Sequence, residues 1–323
     1  MKYSELKRSL NNRVEPVYIL TGSDDFLRNY AVSLIRDRCV SSPELDFLSI
    51  DGENSSAVSE NLYASLMSFP FVSEKRMIVV REYYPTAEEL KKNGIAEYLK
   101  NPSETTVFVV NDKKECKAFL KAENCVTVDC DPDMALCVGW ICNEAKKNGL
   151  SVTPAVAQKI AEYSLLDLTT INSEMGKLTD YCADSGLIDM NAVNEVVSKD
   201  SESQVYEMVE RISSGRFDEA YSVLTDLLAK NESEQRLFVS VYSHFRRMLH
   251  VAVSDAKNSE LAETLGVKEY AVKMTRIQAK KFSVKRIKNI CEKFTFYDAA
   301  FKRGDTGLSA VLWNGIFSAM IAN

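Results

Sequence analysis

Glycine and proline are scarce in this 323-residue chain, at 12 and 7 residues. Turn-rich β architectures need both residues, so their scarcity favours helix. No apolar run approaches the roughly 18 residues that a membrane-spanning helix needs. The first 13 residues are polar and lack the apolar core of a secretory signal. We therefore expect a helix-rich cytoplasmic protein with no membrane partner.

Histidine is almost absent, and the cysteines lack the spacing of a metal site. The two histidines, His244 and His250, are six residues apart and show no ligand spacing. Eight cysteines are present, and four of them fall between residues 125 and 142 without a C-x-x-C pair. A zinc site and buried reduced thiols are the two interpretations, and the spacing favours thiols. The sequence predicts no metal, no cofactor and no catalytic residue.

The charge is acidic overall but unevenly distributed. Aspartate and glutamate number 46 against 40 lysines and arginines, which gives a net charge of −6. The segment 268–303 nevertheless holds eleven basic and three acidic residues, a local charge of +8. These cations could track phosphates, remain solvated or face a neighbouring protein. The acidic total disfavours a stand-alone nucleic-acid-binding protein.

The first 130 residues alternate between strand and helix patterns. Short apolar runs predict strands at 17–20, 47–50, 77–80, 105–110 and 126–128. Helical spacing occupies 25–38, 59–68, 86–100 and 113–122. Nearly continuous apolar strands separated by helices are typical of a parallel sheet covered on both faces. The predicted fold class is therefore α/β in this part of the chain.

Strand patterns stop after residue 132, and the rest of the chain is predicted to be helical. The first helices are expected at 133–147, from Pro154 onward, at 167–181 and at 191–198. From residue 201 the helical pattern continues with breaks at Gly215, Asn231, Gly266 and 304–307. An α/β domain followed by helical domains is the predicted organisation.

The first strand–glycine–helix junction stands where an α/β domain binds phosphate, yet its residues do not fit that task. The phosphate loop requires G-x-x-x-x-G-K-[ST]. Counting from Gly22, Leu27 replaces the second glycine and Arg28 replaces the lysine. The strand that should supply a Mg²⁺-binding acid ends at Arg81. The site is either a degenerate nucleotide site or was never one; both exclude ATP hydrolysis.

The connector before the third strand is unusually apolar. Its apolar residues are Met67, Phe69, Pro70, Phe71 and Val72. Loops are normally polar and exposed, so these side chains either fold into the protein's own core or are held out for a partner. In an extended loop Phe69 and Phe71 could not both point the same way, so we expect one to project and the other to anchor inward. Pro70 stiffens the segment and lowers the cost of docking.

Several segments, in order along nearly the whole chain, resemble the δ subunit family of bacterial DNA polymerase III. They are residues 16–22 (PVYILTG), 25–27 (DFL), 71–80 (FVSEKRMIVV), 204–206 (QVY), 245–249 (FRRML), 265–267 (LGV) and 302–304 (KRG), with the helix that carries Asp167, Leu168, Ile171, Glu174, Lys177, Leu178 and Tyr181. Each motif is weak alone, and the ordered set is specific.

The resemblance implies a clamp-loader architecture and a partner set. It implies a degenerate AAA+-like domain (1–141), a helical lid (142–206) and a helical collar (207–323). Such members do not bind ATP; they bind and open the β sliding clamp. They assemble with three γ/τ ATPase subunits and δ′ into a heteropentamer acting on primer–template DNA. Any polymerase activity belongs to the whole holoenzyme.

The resemblance also implies a binding residue and leaves alternatives to separate. Phe71 matches the family's clamp-binding aromatic, and the sequence departs from the family at Pro70, where other members carry leucine. One alternative is an active AAA+ ATPase or helicase loader, against which the missing lysine and glycine weigh. Another is a δ′-like protein, whose Ser-Arg-Cys motif and zinc knuckle do not occur here.

Overall fold

The computed structural model describes residues 1–52, 55–119, 124–197, 201–229 and 233–321. The strands are β1 (Val17–Thr21), β2 (Phe47–Asp51), β3 (Arg76–Arg81), β4 (Thr106–Asp112), β5 (Val126–Asp129), β6 (Ser151–Val152) and β7 (Leu187–Ile188). The helices before residue 140 are α1 (Tyr3–Asn12), α2 (Asp25–Cys39), α3 (Pro43–Asp46), α4 (Ser55–Leu66), α5 (Ala87–Lys92), α6 (Ile95–Lys100) and α7 (Met134–Lys147).

The remaining helices follow in close succession. They are α8 (Pro154–Tyr163), α9 (Leu168–Tyr181), α10 (Met190–Val196), α11 (Ser201–Ser213), α12 (Phe217–Ala229), α13 (Glu234–Val253), α14 (Asn258–Leu265), α15 (Glu269–Ala279), α16 (Val284–Lys302) and α17 (Leu308–Ile321). Helix α8 begins as the sequence predicts, because Thr153 accepts a hydrogen bond from the Val156 N–H and Pro154 occupies the first turn.

Five strands form one parallel sheet in the order β2-β3-β4-β1-β5. Every residue of β1 and β4 is buried, as a parallel sheet covered on both faces requires. On one face Ile19, Ile78 and Phe108 pack against residues of α4, α5 and α6. The carboxyl ends of β1, β3 and β4 lie next to one another in the register, and Arg81 pairs with Asn111. The predicted parallel α/β sheet is confirmed.

The chain after residue 200 packs around an aromatic centre. Phe245 and Phe294 are fully buried, with ring centroids 6.0 Å apart. Gly315 on α17 allows the close approach of Phe294, because a Cβ there would lie 2.8 Å from that ring. The predicted helical C-terminal part is therefore confirmed, with a core of its own.

Three local predictions are wrong. Residues 86–100 do not form one helix, because Gly94 takes a left-handed conformation between α5 and α6. Residues 113–119 are not helical: the Lys113 and Lys114 N–H groups donate instead to side chains of Glu82 and Tyr84. After residue 132, β6 and β7 form a two-residue parallel pair that the sequence did not predict. The predicted break at Asn231, and residues 120–122 and 198, lie outside the described residues.

Contacts within the chain define two compact units. One holds Met1–Trp140 with Asp167–Asn172, and the other holds Ile141–Leu166 with Ser173–Asn323. The boundaries at 141/142 and 206/207 stay a prediction. None of the helices in the described part of the chain combines the length and the apolar composition needed to cross a bilayer.

Candidate functional site

The junction after β1 is shaped so that only glycine fits. Gly22 has a φ of 141°, and a Cβ added to it would lie 2.7 Å from the carbonyl carbon of Cys130. Asp24 then caps α2 by accepting a hydrogen bond of 2.8 Å from the Leu27 N–H. Arg28 lies in the first turns of this helix, and its side chain contacts Asn111 near the end of β4.

Arg28 fills the space that the sequence marks as a possible phosphate site. Its side chain is buried, with 4% of the residue exposed. The guanidinium is held by four acceptors: the Gly22 carbonyl, Asn111 Oδ1 at 2.9 Å, Glu82 Oε1 at 3.2 Å and Asp25 Oδ1. The donors that could have bound a ligand phosphate are therefore directed to groups of the protein itself.

The structure brings together three of the four predicted residues of this degenerate site. Gly22, Leu27 and Arg28 are all buried around the start of α2. The side chain of Arg81, in contrast, is exposed, and it is the neighbouring Glu82 that contacts Arg28. Glu82 has a φ of 49°, a conformation that is uncommon for a residue with a side chain.

Asp112, at the end of β4, adds a buried carboxyl to these strand ends. Its Oδ1 accepts a hydrogen bond of 2.9 Å from the Tyr83 N–H, whereas Oδ2 has no hydrogen-bond partner among the described residues. Burial is the largest cause that raises the pKa of this carboxyl, to about 7. Glu82 also raises this pKa, while the Tyr83 N–H and Arg28 lower it.

The apolar connector between α4 and β3, here called the tip (residues 67–73), projects from the protein. Phe69 and Phe71 are 79% and 78% exposed, and Met67 and Val72 are exposed as well. Pro70 is half-buried. The prediction that one of the two phenylalanines anchors inward is wrong, because the chain bends after Pro70 instead of running straight.

The bend is held by a single buried carboxylate. Asp46 is 0% exposed, and its two oxygens accept hydrogen bonds from three consecutive N–H groups of the tip. Those of Phe71, Val72 and Ser73 lie at 2.5, 3.0 and 2.6 Å. Burial alone would raise the pKa of Asp46, but these bonds together with the Ser73 hydroxyl hold it well below its usual range.

Ser73 ties the base of the tip to the connection between α2 and α3. Its hydroxyl oxygen accepts hydrogen bonds from the N–H groups of Ser41 at 3.1 Å and Ser42 at 3.2 Å. Asp46 and Ser73 both precede the edge pairing of β2 with β3, where Phe47 pairs with Met77. The tip is therefore fastened to the rim of the sheet, while its apolar side chains remain outside.

The sequence alone did not single out Asp46, Ser73 or Asp112 as residues of these sites. Asp46 lies 25 to 27 residues from its partners, so no local spacing reveals the contact. The residues around Asp46 give no other signal, because an acid directly before an apolar strand looks the same in sequence whether it is buried or solvated. Nothing in the residues around Asp112 distinguishes it from an ordinary strand end.

The cysteines and the basic segment show ordinary structural contacts. Cys130 and Cys137 are buried, and burial raises the pKa of Cys130 to about 12. In the basic segment, Arg276 donates to the carbonyls of Ser254 and Ala256 and supports the end of α13. Except for the half-buried Arg286, the other cations there are exposed, so a partner-facing or phosphate-facing role stays a prediction.

Two family models match the chain. That of the DNA polymerase III delta subunit matches residues 18–127, and that of the C-terminal domain of the same delta subunit matches residues 202–312. Together they span about two-thirds of the chain, in the expected order. The chain belongs to the DNA polymerase III delta subunit family. The tip and the strand-end residues around Arg28 both lie within the first matched segment.

Comparisons over the full length agree with this membership. The DNA polymerase III subunit delta of Bacillus subtilis is 24% identical over 322 residues, covering 94% of this chain and 92% of the relative. The solved structure of the B. subtilis DNA clamp loader delta protein (YqeN) has a TM-score of 0.76 at 22% identity, covering 98% and 99% of the two chains. The predicted family and the predicted fold class are thereby confirmed.

Proposed function

We propose that this delta subunit binds the β sliding clamp through its tip and opens the clamp ring for loading at primer–template junctions. The observation that carries the proposal is the pair Phe69 and Phe71, whose side chains are exposed to solvent. The backbone beside them is held by hydrogen bonds to the buried Asp46 carboxylate. Adjacent apolar side chains that are exposed to solvent indicate a protein-binding site. A short rigid aromatic projection suits a pocket in a partner better than a flat interface.

The expected strength of this contact follows from buried area. Covering one phenylalanine removes about 150 Å² of apolar surface from water. At about 25 cal/mol per Å² this contributes ~4 kcal/mol, or several hundred-fold in affinity. If the docked tip fits the open clamp better than the closed one, the difference in affinity shifts the ring toward opening. No covalent step is needed.

The strand-end residues support a subunit that does not use ATP itself. Arg28 and Leu27 occupy the positions of the lysine and the glycine that hold phosphate, and the Arg28 guanidinium is bound internally. ATP hydrolysis then belongs to the γ/τ subunits of the heteropentamer, which this chain joins together with δ′ through residues 207–323. Primer–template DNA is bound within the assembled complex.

A δ′-like subunit or another AAA+ replication factor is the alternative. An ATP titration of the isolated chain separates an active AAA+ protein from the proposed one, since the proposed subunit gives no saturable binding. A δ′-like subunit is also inert toward ATP, so clamp binding by the isolated chain is the observation that separates it.

Phe71→Ala tests the proposal directly. It removes the aromatic ring of the residue whose backbone N–H is bound by Asp46. We expect the affinity for the clamp to fall several hundred-fold, while the circular dichroism spectrum stays unchanged. Surface plasmon resonance with the purified clamp measures the loss. Phe296→Ala is a matched control, because Phe296 is also an exposed phenylalanine but lies on α16. Undiminished binding by Phe71→Ala would refute the tip as the clamp-binding site.

A further inference from the structure

We propose that Asp46 is the residue that positions the clamp-binding tip: its buried carboxylate holds three backbone N–H groups inward, so that the apolar side chains face outward. The inference rests on the proposed function and deepens it. It assigns to one residue, outside the tip in sequence, the shape that the partner recognises.

In the part of the chain that the structure describes, the three N–H groups share one acceptor group. The bonds from Phe71, Val72 and Ser73 run 2.5 to 3.0 Å to the two oxygens of Asp46. When consecutive N–H groups converge on one point, the backbone curves around that point and its side chains lie on the convex side. The exposure of Phe71 and Val72 agrees with this curvature.

The carboxylate is itself held at a fixed place. Asp46 ends the four-residue helix α3, and its own N–H donates to the Ser42 carbonyl at 3.0 Å. The following residue, Phe47, begins β2 and pairs with Met77 of β3. The support and the tip are therefore attached to two paired strands, and the distance between them is set by the sheet register.

An ionised carboxylate is suited to this task in a way that an amide is not. A carboxylate has only acceptor sites, and its two oxygens offer about four lone pairs for the three donors. The amide of asparagine replaces one oxygen by an NH₂ group, which would face a backbone N–H. The Asp46→Asn variant keeps the side-chain volume but has one acceptor oxygen instead of two, so at least one of the three hydrogen bonds must break.

Pre-shaping matters for binding because an unsupported apolar loop would sample many conformations. Ordering such a loop at the moment of docking lowers affinity, whereas a loop that is already ordered binds at full strength. Holding the backbone at Phe71 and Val72 in place therefore keeps their exposed side chains in a fixed position before docking.

Amide hydrogen exchange tests the positioning without the clamp. In the wild type the amides of residues 71–73 should exchange slowly although the side chains of Phe71 and Val72 are exposed, because Asp46 binds them. In Asp46→Asn we expect exchange at these amides to be at least tenfold faster, while the amides of β3 keep their protection. Equal protection of residues 71–73 in both proteins would overturn the inference.

Clamp binding supplies the second measurement. Asp46→Asn should weaken binding about tenfold or more, and Asp37→Asn, an exposed acid on α2, should leave it unchanged. The Phe71→Leu variant should bind the clamp weakly but measurably. In that variant, Asp46→Asn should lower the clamp affinity by a clearly smaller factor than in the wild type, because the two residues act through one contact. A general loss of folding would instead cost the same in both backgrounds.

The outcomes separate this inference from the proposed function. If Phe71→Ala binds normally, the proposed function fails. If Phe71→Ala loses binding while Asp46→Asn binds normally, only the positioning role fails. Should Asp46→Asn not fold, Ser73→Ala replaces it, because it removes the acceptor for the Ser41 and Ser42 N–H groups and keeps Asp46. Ser73→Ala should lower the affinity for the clamp about threefold and speed up amide exchange only in the tip. Normal clamp binding together with unchanged exchange would count against the inference.

Discussion

The tip and the strand-end residues around Arg28 use the same physical device with opposite results. In each, one buried charged side chain gathers several hydrogen-bonding groups from distant parts of the chain. Asp46 binds backbone donors and turns apolar side chains toward solvent. Arg28 binds acceptors at the ends of the strands and closes the space between them.

Under the proposed function, one α/β domain has a closed site at its strand ends and a protein-binding site at the edge of its sheet. The carboxyl ends of parallel strands are where such sheets commonly bind ligands. Here that edge is filled by the protein's own guanidinium, so its interactions serve stability. Changes near Arg28 should therefore alter folding and leave clamp binding intact, and changes at the tip should do the reverse.

The largest effect on the strand-end side is expected for Asp112→Asn. Because the pKa of Asp112 is about 7 in the folded protein against an ordinary value of 3.8, the unfolded chain ionises first as pH rises. This group therefore contributes most to stability below pH 4, and its contribution is lost by about pH 7. Three pH units correspond to roughly 4 kcal/mol.

Urea denaturation at pH 4.5, 6 and 8 measures this effect as a difference between proteins. Asp112→Asn should become progressively more stable than the wild type as pH rises, and its clamp binding should not change. Glu97→Gln, an exposed acid paired with Lys100, is the control and should show no such trend. A constant difference between Asp112→Asn and the wild type across the three pH values would contradict the prediction.

Arg28→Met should have the next largest effect. The substitution keeps most of the volume but leaves the Gly22 carbonyl and Asn111 Oδ1 buried without their donor, and we expect a loss of about 3 kcal/mol in the free energy of unfolding. Arg81→Met is the matched control, because the Arg81 side chain is exposed and its loss should cost under about 0.5 kcal/mol. Equal losses of unfolding free energy in Arg28→Met and Arg81→Met would contradict the prediction that the buried arginine stabilises the fold and the exposed one does not.

Periodicity predicted most of the sheet, and local composition singled out the tip but left open whether its apolar side chains are buried or exposed. Short runs of three to six residues identified all five strands of the sheet, because a buried parallel strand can tolerate few polar residues. The same reasoning failed at 113–119, where Phe119 is buried against Phe108 and side chains of Glu82 and Tyr84 bind the N–H groups that a helix would need. Helical propensity was overridden by tertiary contacts there.

The residues that shape the two regions were harder to predict because their partners are remote. Arg28 was singled out as a replacement for lysine, but its bonds to Asn111 and Glu82 depend on the strand order. Asp46 escaped notice because a lone acid before a strand is indistinguishable from a solvated one. Burial of a charge, which reveals both residues, becomes visible only when the fold is known.

Phe69→Ala should show the smallest effect and sharpens the comparison within the tip itself. Phe69 and Phe71 are equally exposed, and Pro70 lies between them. Only Phe71 is on the side that Asp46 holds, because the N–H groups of Phe71 and Val72 donate to its carboxylate. A side chain on a fixed backbone loses less freedom on docking, so Phe71 should be the main anchor. We expect Phe69→Ala to weaken clamp binding by about 1 kcal/mol, roughly fivefold, measured by surface plasmon resonance beside Phe71→Ala. If Phe69→Ala proves the more damaging of the two, exposure and not backbone support would govern recognition, and the role given to Asp46 would lose its main consequence.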